Sequence, residues 1–393
     1  MSTLEHHHRR RSRCGFRPPH CPNRRCCFYA RATAWRWVHD GHFTRPSDRQ
    51  RFQRFRCLDC GRRFSTRTFA SDYWLRRRAL LSRVAGFASE GPGVRQTSRL
   101  LGTSHTTITR HLARAGRHCL LYHQEMIQHR RIHESLVIDG FETFEYSQYF
   151  PFHLNLAVGA ESWFLHHFTD SPLRRKGTMT PEQKTRRGEL ERTLGRPDPQ
   201  AIELGMAELV RVISRRWKPG RRDTNLPVPP GPIQERLLHS DDHPAYRRSL
   251  RRLEVEGVVG IRHVVTSSTE RRTTSNPLFP VNLADLLLRH GQANHRRETI
   301  AFSKRRQGAL ERLAVFTVWR NAIKRRREKR GGETAAMAAG MLDRPLSWAE
   351  VFRRRRFPRR RLLPGAWWGY YWRKVKTPVL GPRQTEHQAK YAF

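Results

Sequence analysis

The chain is short of acid. Only 34 Asp and Glu stand against 77 Lys and Arg in 393 residues, for a formal net charge of +43 and a pI near 11.5. That imbalance argues against a basic ligand and for a polyanion, because each Lys or Arg set beside phosphate releases condensed counterions. Nucleic acid is the leading candidate, with anionic membrane as the competing reading. Long apolar runs are missing too. No stretch of about 18 apolar residues occurs, which excludes a spanning helix on hydropathy, and the opening "MSTLEHHHRRRSRC" lacks a signal peptide's apolar core. An intracellular protein is expected. Beyond residue 60 cysteine is nearly absent, with Cys119 alone, so a disulfide framework is not expected. The hydrophobic content of 37% still suffices for a sizeable core, and the length suggests two or three domains. Arginines thread through apolar, tryptophan-bearing segments, which is unlike a solvated tail.

Six of the seven cysteines precede residue 61, a clustering that asks for a local cause. Cys21 and Cys26 bound "CPNRRC", and Cys57 and Cys60 lie in "RCLDCGRRF", so two short knuckles face each other across a hairpin. Paired thiolates suit tetrahedral Zn²⁺, and the metal would supply the fold that some sixty residues lack by themselves. The second knuckle, followed by Gly61, is the stronger half. In the first, Cys14, His20 and Cys27 remain alternative ligands. Scattered buried cysteines are the plainer explanation. The flanking "RQRFQRFRCLDCGRRFSTRTF" is a basic, aromatic ribbon suited to gripping phosphate.

In "GPGVRQTSRLLGTSHTTITRHLARAGRH", residues 91–118, Val94, Leu100, Leu101, Ile108 and Leu112 recur at helical spacing about Gly102. The segment is predicted to be helix, tight turn, helix, with Ser104 as N-cap. The exposed side of the second helix then carries His105, Thr106, Thr109 and Arg110, polar groups suited to base edges or phosphates. An ordinary helical hairpin is the plainer alternative.

From about residue 134 the runs "SLVIDGFETF", "FHLNLAVGA" and "SWFLHHFTD" predict an antiparallel meander. A polar stretch at 171–199 reads as linker, 200–217 as an amphipathic helix, and "KPGRRDTNLPVPPGPI" as a second linker. Strands ending at Asp241 and spanning 261–268, with a helix from "FPVNLADLLLRH", complete an α/β order. If the first and fourth strands are neighbours, Asp139 and Asp241 converge, and a divalent metal with hard oxygen ligands fits between them. For Asp139 alone, a turn-forming Asp is the simpler reading.

The series "VIDGFETF", "SDDHPAY" and "NHRRETIAFSKRRQGALERLAVF" resembles insertion-sequence DDE-type transposases with an N-terminal zinc ribbon and helix-turn-helix. The resemblance covers roughly residues 20–325. It implies an α/β fold with an RNase H-like mixed sheet. Asp139 becomes the first catalytic acid and Asp241 the second, with Asp242 supporting it. The family's third acid falls on Asn282, while Asp285 sits one turn later and Arg289 one turn beyond, all on one helical face. Either Asp-Asp-Asn or Asp-Asp-Asp is open, with Asp285 favoured as the better Mg²⁺ (or Mn²⁺) ligand and Arg289 assigned to DNA. Glu270 and Glu298 are weaker candidates.

The implied organisation is a zinc ribbon at 1–70, a helix-turn-helix region at 71–130, a catalytic domain at 131–325 with an insertion around 171–232, and a basic aromatic segment at 326–393. In that last segment "KRRREKR", "RRRRFPRRR" and "AWWGYYWRKVK" suggest a clamp on DNA ends or a disordered tail. The helix at 308–324 is expected to pack on the sheet. Of His166 and His167, one is expected packed and one solvated. The implied activity is metal-dependent cleavage and strand transfer on double-stranded DNA, by a homodimer or higher oligomer, nucleoid-associated in a prokaryotic cytoplasm. A non-catalytic DNA-binding regulator, a domesticated relative or an RNase H-like structure-specific nuclease are the alternatives.

Overall fold

The computed structural model describes residues 15–217, 236–296, 298–328 and 331–380. They form two compact units. The first comprises residues 15–78 together with Phe352–Leu362, and the second residues 79–351 and 363–380.

In the first unit, strands β1 (Trp37–Thr44), β2 (Arg51–Cys57) and β3 (Arg63–Ser65) form an antiparallel sheet in the order β1-β2-β3. Its core is aromatic. Phe55 is fully buried, with Phe64 stacked on it at 5.5 Å and Phe69 and Phe357 close by. So few apolar side chains cannot offset the chain entropy of folding without a further constraint.

The second unit begins with three helices, α1 (Leu80–Ser89), α2 (Val94–Leu100) and α3 (His105–Ile127). Ser104 caps α3 by accepting a hydrogen bond from the Thr107 N–H at 3.2 Å, and Gly102 makes the preceding turn at φ +55°. A five-stranded sheet follows, in the order β6 (Leu165–Pro172), β5 (Pro151–Gly159), β4 (Leu136–Phe144), β7 (Arg236–Ser240), β8 (Ile261–Val265). β4 pairs antiparallel with β5, and β5 with β6, whereas β4–β7 and β7–β8 are parallel. The sheet is therefore mixed. Helix α5 (Ala201–Ser214) and α6 (Pro244–Val255) bury one face against Leu136, Ile138, Ala157 and Leu238. Helix α7 (Phe279–Gly291) packs on β4 and β5.

Several expectations need correction. The polar stretch at 171–199 is not all linker: it holds α4 (Pro181–Leu194), which buries no side chain and is fixed by a Thr180–Gln183 capping box and an Arg174–Glu191 ion pair. The linker expected at 218–233 lies outside the described residues. Helix α8 (Arg306–Val318) packs chiefly on α3 rather than on the sheet. Gly116 allows that approach, since a Cβ there would lie 2.4 Å from the Glu311 carbonyl oxygen. Just beyond α8, the Asn321 amide bonds both backbone groups of Leu165 at 2.9 Å, tying the helix end to β6.

The aromatic C-terminal segment is neither a tail nor a free clamp over its described part. Trp367 is fully buried and donates to the Phe168 carbonyl at 2.8 Å, and the Tyr370 hydroxyl bonds Asp170. His166 and His167 are both buried, not one in and one out. His166 faces Glu134, and His167 stacks on Trp367 at 4.5 Å. Phe168 and Trp367 leave no room for the solvated ring that two adjacent strand positions suggested. Among the described residues no helix is long and apolar enough to cross a membrane.

Candidate metal centres and nucleic-acid surface

Cys21, Cys26, Cys57 and Cys60 come together in the first unit with their sulfurs all within 4.8 Å of one another. Cys21 and Cys60 lie 3.6 Å apart, and Cys26 and Cys57 4.0 Å. Zn–S bonds of about 2.3 Å at tetrahedral angles put sulfurs about 3.8 Å apart, so the set fits Zn²⁺. The backbone is shaped for it. Gly61, at φ +69°, turns the chain so that its N–H reaches the Cys57 carbonyl at 3.1 Å. Trp35 Nε1 donates to Cys57 Sγ at 3.2 Å and the Asn23 N–H to Cys21 Sγ at 3.5 Å, bonds that favour thiolate.

Without metal, Cys21, Cys26 and Cys60 are shifted unevenly. Burial raises Cys21, and raises Cys26 to about 11. Burial also acts upward on Cys60, but hydrogen bonds from Asn23, Arg62, Cys21 and Cys57 outweigh it and bring that thiol to about 7. Of the alternative ligands, Cys14 lies outside the described residues and Cys27 is exposed. His20 packs edge-on to Tyr29, Phe69 and Phe357, with burial lowering it to about 4.

In the second unit Asp139 sits in β4, and Asp241 follows directly on Ser240, the last residue of β7. The parallel register pairs Leu136 with Leu238 and Val137 with His239, so continuing it sets Asp139 level with Asp241 on neighbouring strands. Such strands run about 4.8 Å apart. The adjacent acids then diverge: Asp241 Oδ1 accepts from the His243 N–H at 3.0 Å, while Asp242 turns to the Ser268 N–H and hydroxyl.

Helix α7 brings Asp285 to the same place. Burial and then the charge of Asp139 push Asp285 well above the usual carboxylate range, against the pull of Arg289 and Arg272. Its Oδ1 is sealed from solvent with no hydrogen-bond partner among the described residues. Asp139 is raised to about 6 by burial and then by Asp241. Tyr246, buried at the start of α6, donates its hydroxyl to Asp139 Oδ1 at 2.9 Å. Burial and then Asp139, Asp241 and Asp285 together raise that phenol well above its normal value, so one hydroxyl senses all three carboxylates. Their oxygens are more widely spaced than the four sulfurs, which among the described residues are the one such set within 4.8 Å.

Asn282 is half-buried one turn before Asp285. Arg289, one turn after it, lies over the Phe141 ring at 4.6 Å and reaches the Glu142 and His295 carbonyls at 3.5 Å, so its guanidinium is engaged within the fold. Glu270 and Glu298 are exposed. Sequence reasoning treated Tyr246 only as a landmark in "SDDHPAY" and overlooked Arg272, an exposed residue whose charge acts on both Asp139 and Asp285. The first was visible in its spacing from Asp241. The second, in a loop after β8, carried no signal.

His105, Thr106, Thr109 and Arg110 are all exposed in the first turns of α3, and the Thr109 hydroxyl donates back to the His105 carbonyl at 2.9 Å.

No family profile matches the chain, and no curated protein does. Among solved structures the chain is similar to the cryo-EM structure of the simian T-cell lymphotropic virus intasome in complex with the PP2A regulatory subunit B56 gamma. The identity is 13%, over 68% of this chain and 74% of that one, with a TM-score of 0.23. A superposition that loose does not define a shared fold.

Proposed function

We propose that this chain is a DDE-type DNA transposase, a metal-dependent enzyme that cuts the ends of a DNA element and joins them to target DNA. The observation that carries the reading is Asp139 on β4, bonded by the Tyr246 hydroxyl, level with Asp241 at the end of neighbouring β7 and within electrostatic reach of Asp285, in a protein with a net charge of +43. We read the mixed five-stranded sheet as RNase H-like, because adjacent strands offer the first two acids and a helix lying on the sheet offers the third.

Asp139, which repels both Asp241 and Asp285, and the orphaned oxygen of Asp285 make with Asp241 a donor set for a hard cation such as Mg²⁺ or Mn²⁺. When bound, such ions activate the attacking oxygen and neutralise charge on the leaving one. The chain's own groups do the positioning. Asp139, Asp241 and Asp285 supply the oxygens, the Tyr246 hydroxyl orients the Asp139 carboxylate, and Arg272 offsets the concentrated negative charge. In the cut, water adds to phosphorus as the bond to the 3′ oxygen breaks, leaving a 3′-hydroxyl and a 5′-phosphate. That hydroxyl then attacks a target phosphodiester and displaces its 3′ oxygen, so the bond count is conserved. Thr106 and Arg110, with the ribbon arginines, are assigned to double-stranded DNA, on which a dimer or higher oligomer would bring two ends together.

The test is Mg²⁺-dependent nicking of a plasmid carrying the DNA that flanks the coding sequence. Asp139→Asn and Asp241→Asn should each lose on the order of a thousandfold or more in rate while still binding DNA. Asp285→Asn should do the same and Asn282→Ala should not, which fixes the third ligand. Nicking retained in both Asp139→Asn and Asp241→Asn would refute the assignment. Binding with no nicking by the wild type would favour a non-catalytic regulator.

A further inference from the structure

A cavity of about 930 Å³ lies in the second unit, between α2 and the start of α3 on one side and residues Ala293–Arg305 with the start of α8 on the other. We propose that this cleft binds a single strand of nucleic acid. It is a different site from the carboxylates, and the proposal stands whether or not they cut DNA.

Charge makes the first argument. Six cations line the cleft, namely Arg95, Arg99, Arg296, Lys304, Arg305 and Arg312, against one acid, Glu311. Glu311 is already neutralised by Arg373 at 2.9 Å. Arg312 is buried and bonded to Asn294, and Arg296 donates to the His290 carbonyl, so these two help to build the wall. Arg95 and Arg99 are different. They sit exposed one turn apart on α2, and among the described residues neither guanidinium has an ion-pair or hydrogen-bond partner. Like charges at that spacing repel one another, and a bound phosphate removes the repulsion.

Shape and apolar surface make the second and third. His105 and Thr109 line this concave cleft, whereas Thr106 and Arg110 do not, so the polar side of α3 divides into two stripes. A duplex, whose major groove alone is about 12 Å wide, needs a convex reader rather than a cleft. The volume is that of a small-ligand site and holds on the order of two or three nucleotides of one strand. Ile300, 95% exposed, stands among the lining residues beside Phe302, whose ring carries Lys304 Nζ at 3.6 Å. Apolar and aromatic groups set among cations are what unstacked bases and their phosphates need together.

The test uses the full chain in magnesium-free buffer, with a fluorescein-labelled eight-nucleotide single strand and a 20-base-pair duplex read by anisotropy. Arg95→Ala/Arg99→Ala should weaken the single strand at least tenfold and lower the salt slope by about 1.4, two phosphates at about 0.7 each. Duplex affinity should change less than twofold, and the melting temperature should hold, since both side chains are exposed. Single-strand affinity within twofold of wild type would overturn the proposal. So would an equal loss on duplex, or full displacement by 10 mM inorganic phosphate at constant ionic strength, which would mark a pocket for one anion.

Discussion

Replacing Asp139 by asparagine should make the metal-free protein more stable at pH 7.5. The carboxyl is raised from 3.8 to about 6 by burial and then by Asp241. A folded value above the unfolded one means that the protonated form stabilises the fold fully below pH 3.8, and that this contribution is lost as pH rises through 6. At pH 7.5 the shift amounts to about 3 kcal/mol against folding, and allowing for the half-buried setting brings it to about 2 kcal/mol. Asparagine keeps an oxygen to accept from Tyr246 and carries no charge to desolvate. In a unit of this size about 2 kcal/mol is worth about 4–8 °C. Calorimetry from pH 7.5 to pH 4 in magnesium-free buffer should show the gain about halved at pH 5 and nearly gone at pH 4, following the wild type's own protonation. Adding 10 mM Mg²⁺ should raise the melting temperature of the wild type and not of the variant. A variant that melts at or below the wild-type temperature at pH 7.5 would mean that Asp139 is a satisfied structural carboxylate, and the case for a metal site would fall with it.

Other outcomes are equally direct. Cys57→Ser/Cys60→Ser should take bound zinc from one equivalent to near none, read by atomic absorption, and should collapse residues 15–78, whose aromatic core is too small to persist without metal. Tyr246→Phe should slow nicking about tenfold at unchanged DNA affinity, since it frees Asp139 to rotate without removing a ligand; an unchanged rate would make the hydroxyl merely structural. Trp367→Ala should cost about 3–5 kcal/mol by denaturant titration, because it empties a fully buried site and leaves the Phe168 carbonyl unbonded. A loss below about 1 kcal/mol would restore the view of that segment as a peripheral clamp.

What was legible in the sequence follows from what was periodic. β4, β5 and β6 are rich in β-branched and aromatic residues, and the mixed α/β order emerged from them. The four zinc-binding candidates stood out because six of the seven cysteines fall before residue 61, in two short knuckles. Helix α4 was missed because it has no apolar stripe: its evidence is a capping box and ion pairs, which composition reads as linker. Helix α3 runs on to Ile127, past the end of the expected hairpin, since its later turns hold Arg117, His118 and His123, polar side chains that are buried in place. The C-terminal aromatics misled for the opposite reason. In "AWWGYYWRKVK" the charge invites a nucleic-acid reading, yet Trp367, Tyr370 and Tyr371 face inward and Trp368 alone of the aromatics stands well exposed, under Lys374. Alternation of charge and aromatic residues does not say which of the two meets solvent.

The electrostatics of the second unit pose a problem that the acids sharpen. On the proposed function, a duplex drawn in by the surrounding arginines would have to bring phosphates up to Asp139, Asp241 and Asp285, of which Asp139 already repels the other two. With no counter-ion, Asp139 and Asp285 lower their energy by taking up protons, as the upward shift of both carboxyls registers. Protonated, they no longer oppose DNA, but they cannot ligate a cation either. Ionised, they need about as much positive charge as one or two divalent ions supply before a phosphate can approach. If the proposed function holds, DNA affinity and metal affinity at this site should be coupled with positive sign above pH 6 and uncouple below it, where Asp139 holds its proton. The same coupling explains why acids would be retained at the centre of so basic a surface. In the proposed enzyme they would tie close approach of the scissile phosphate to the presence of the ions that cut it, while the arginines beyond would hold DNA regardless.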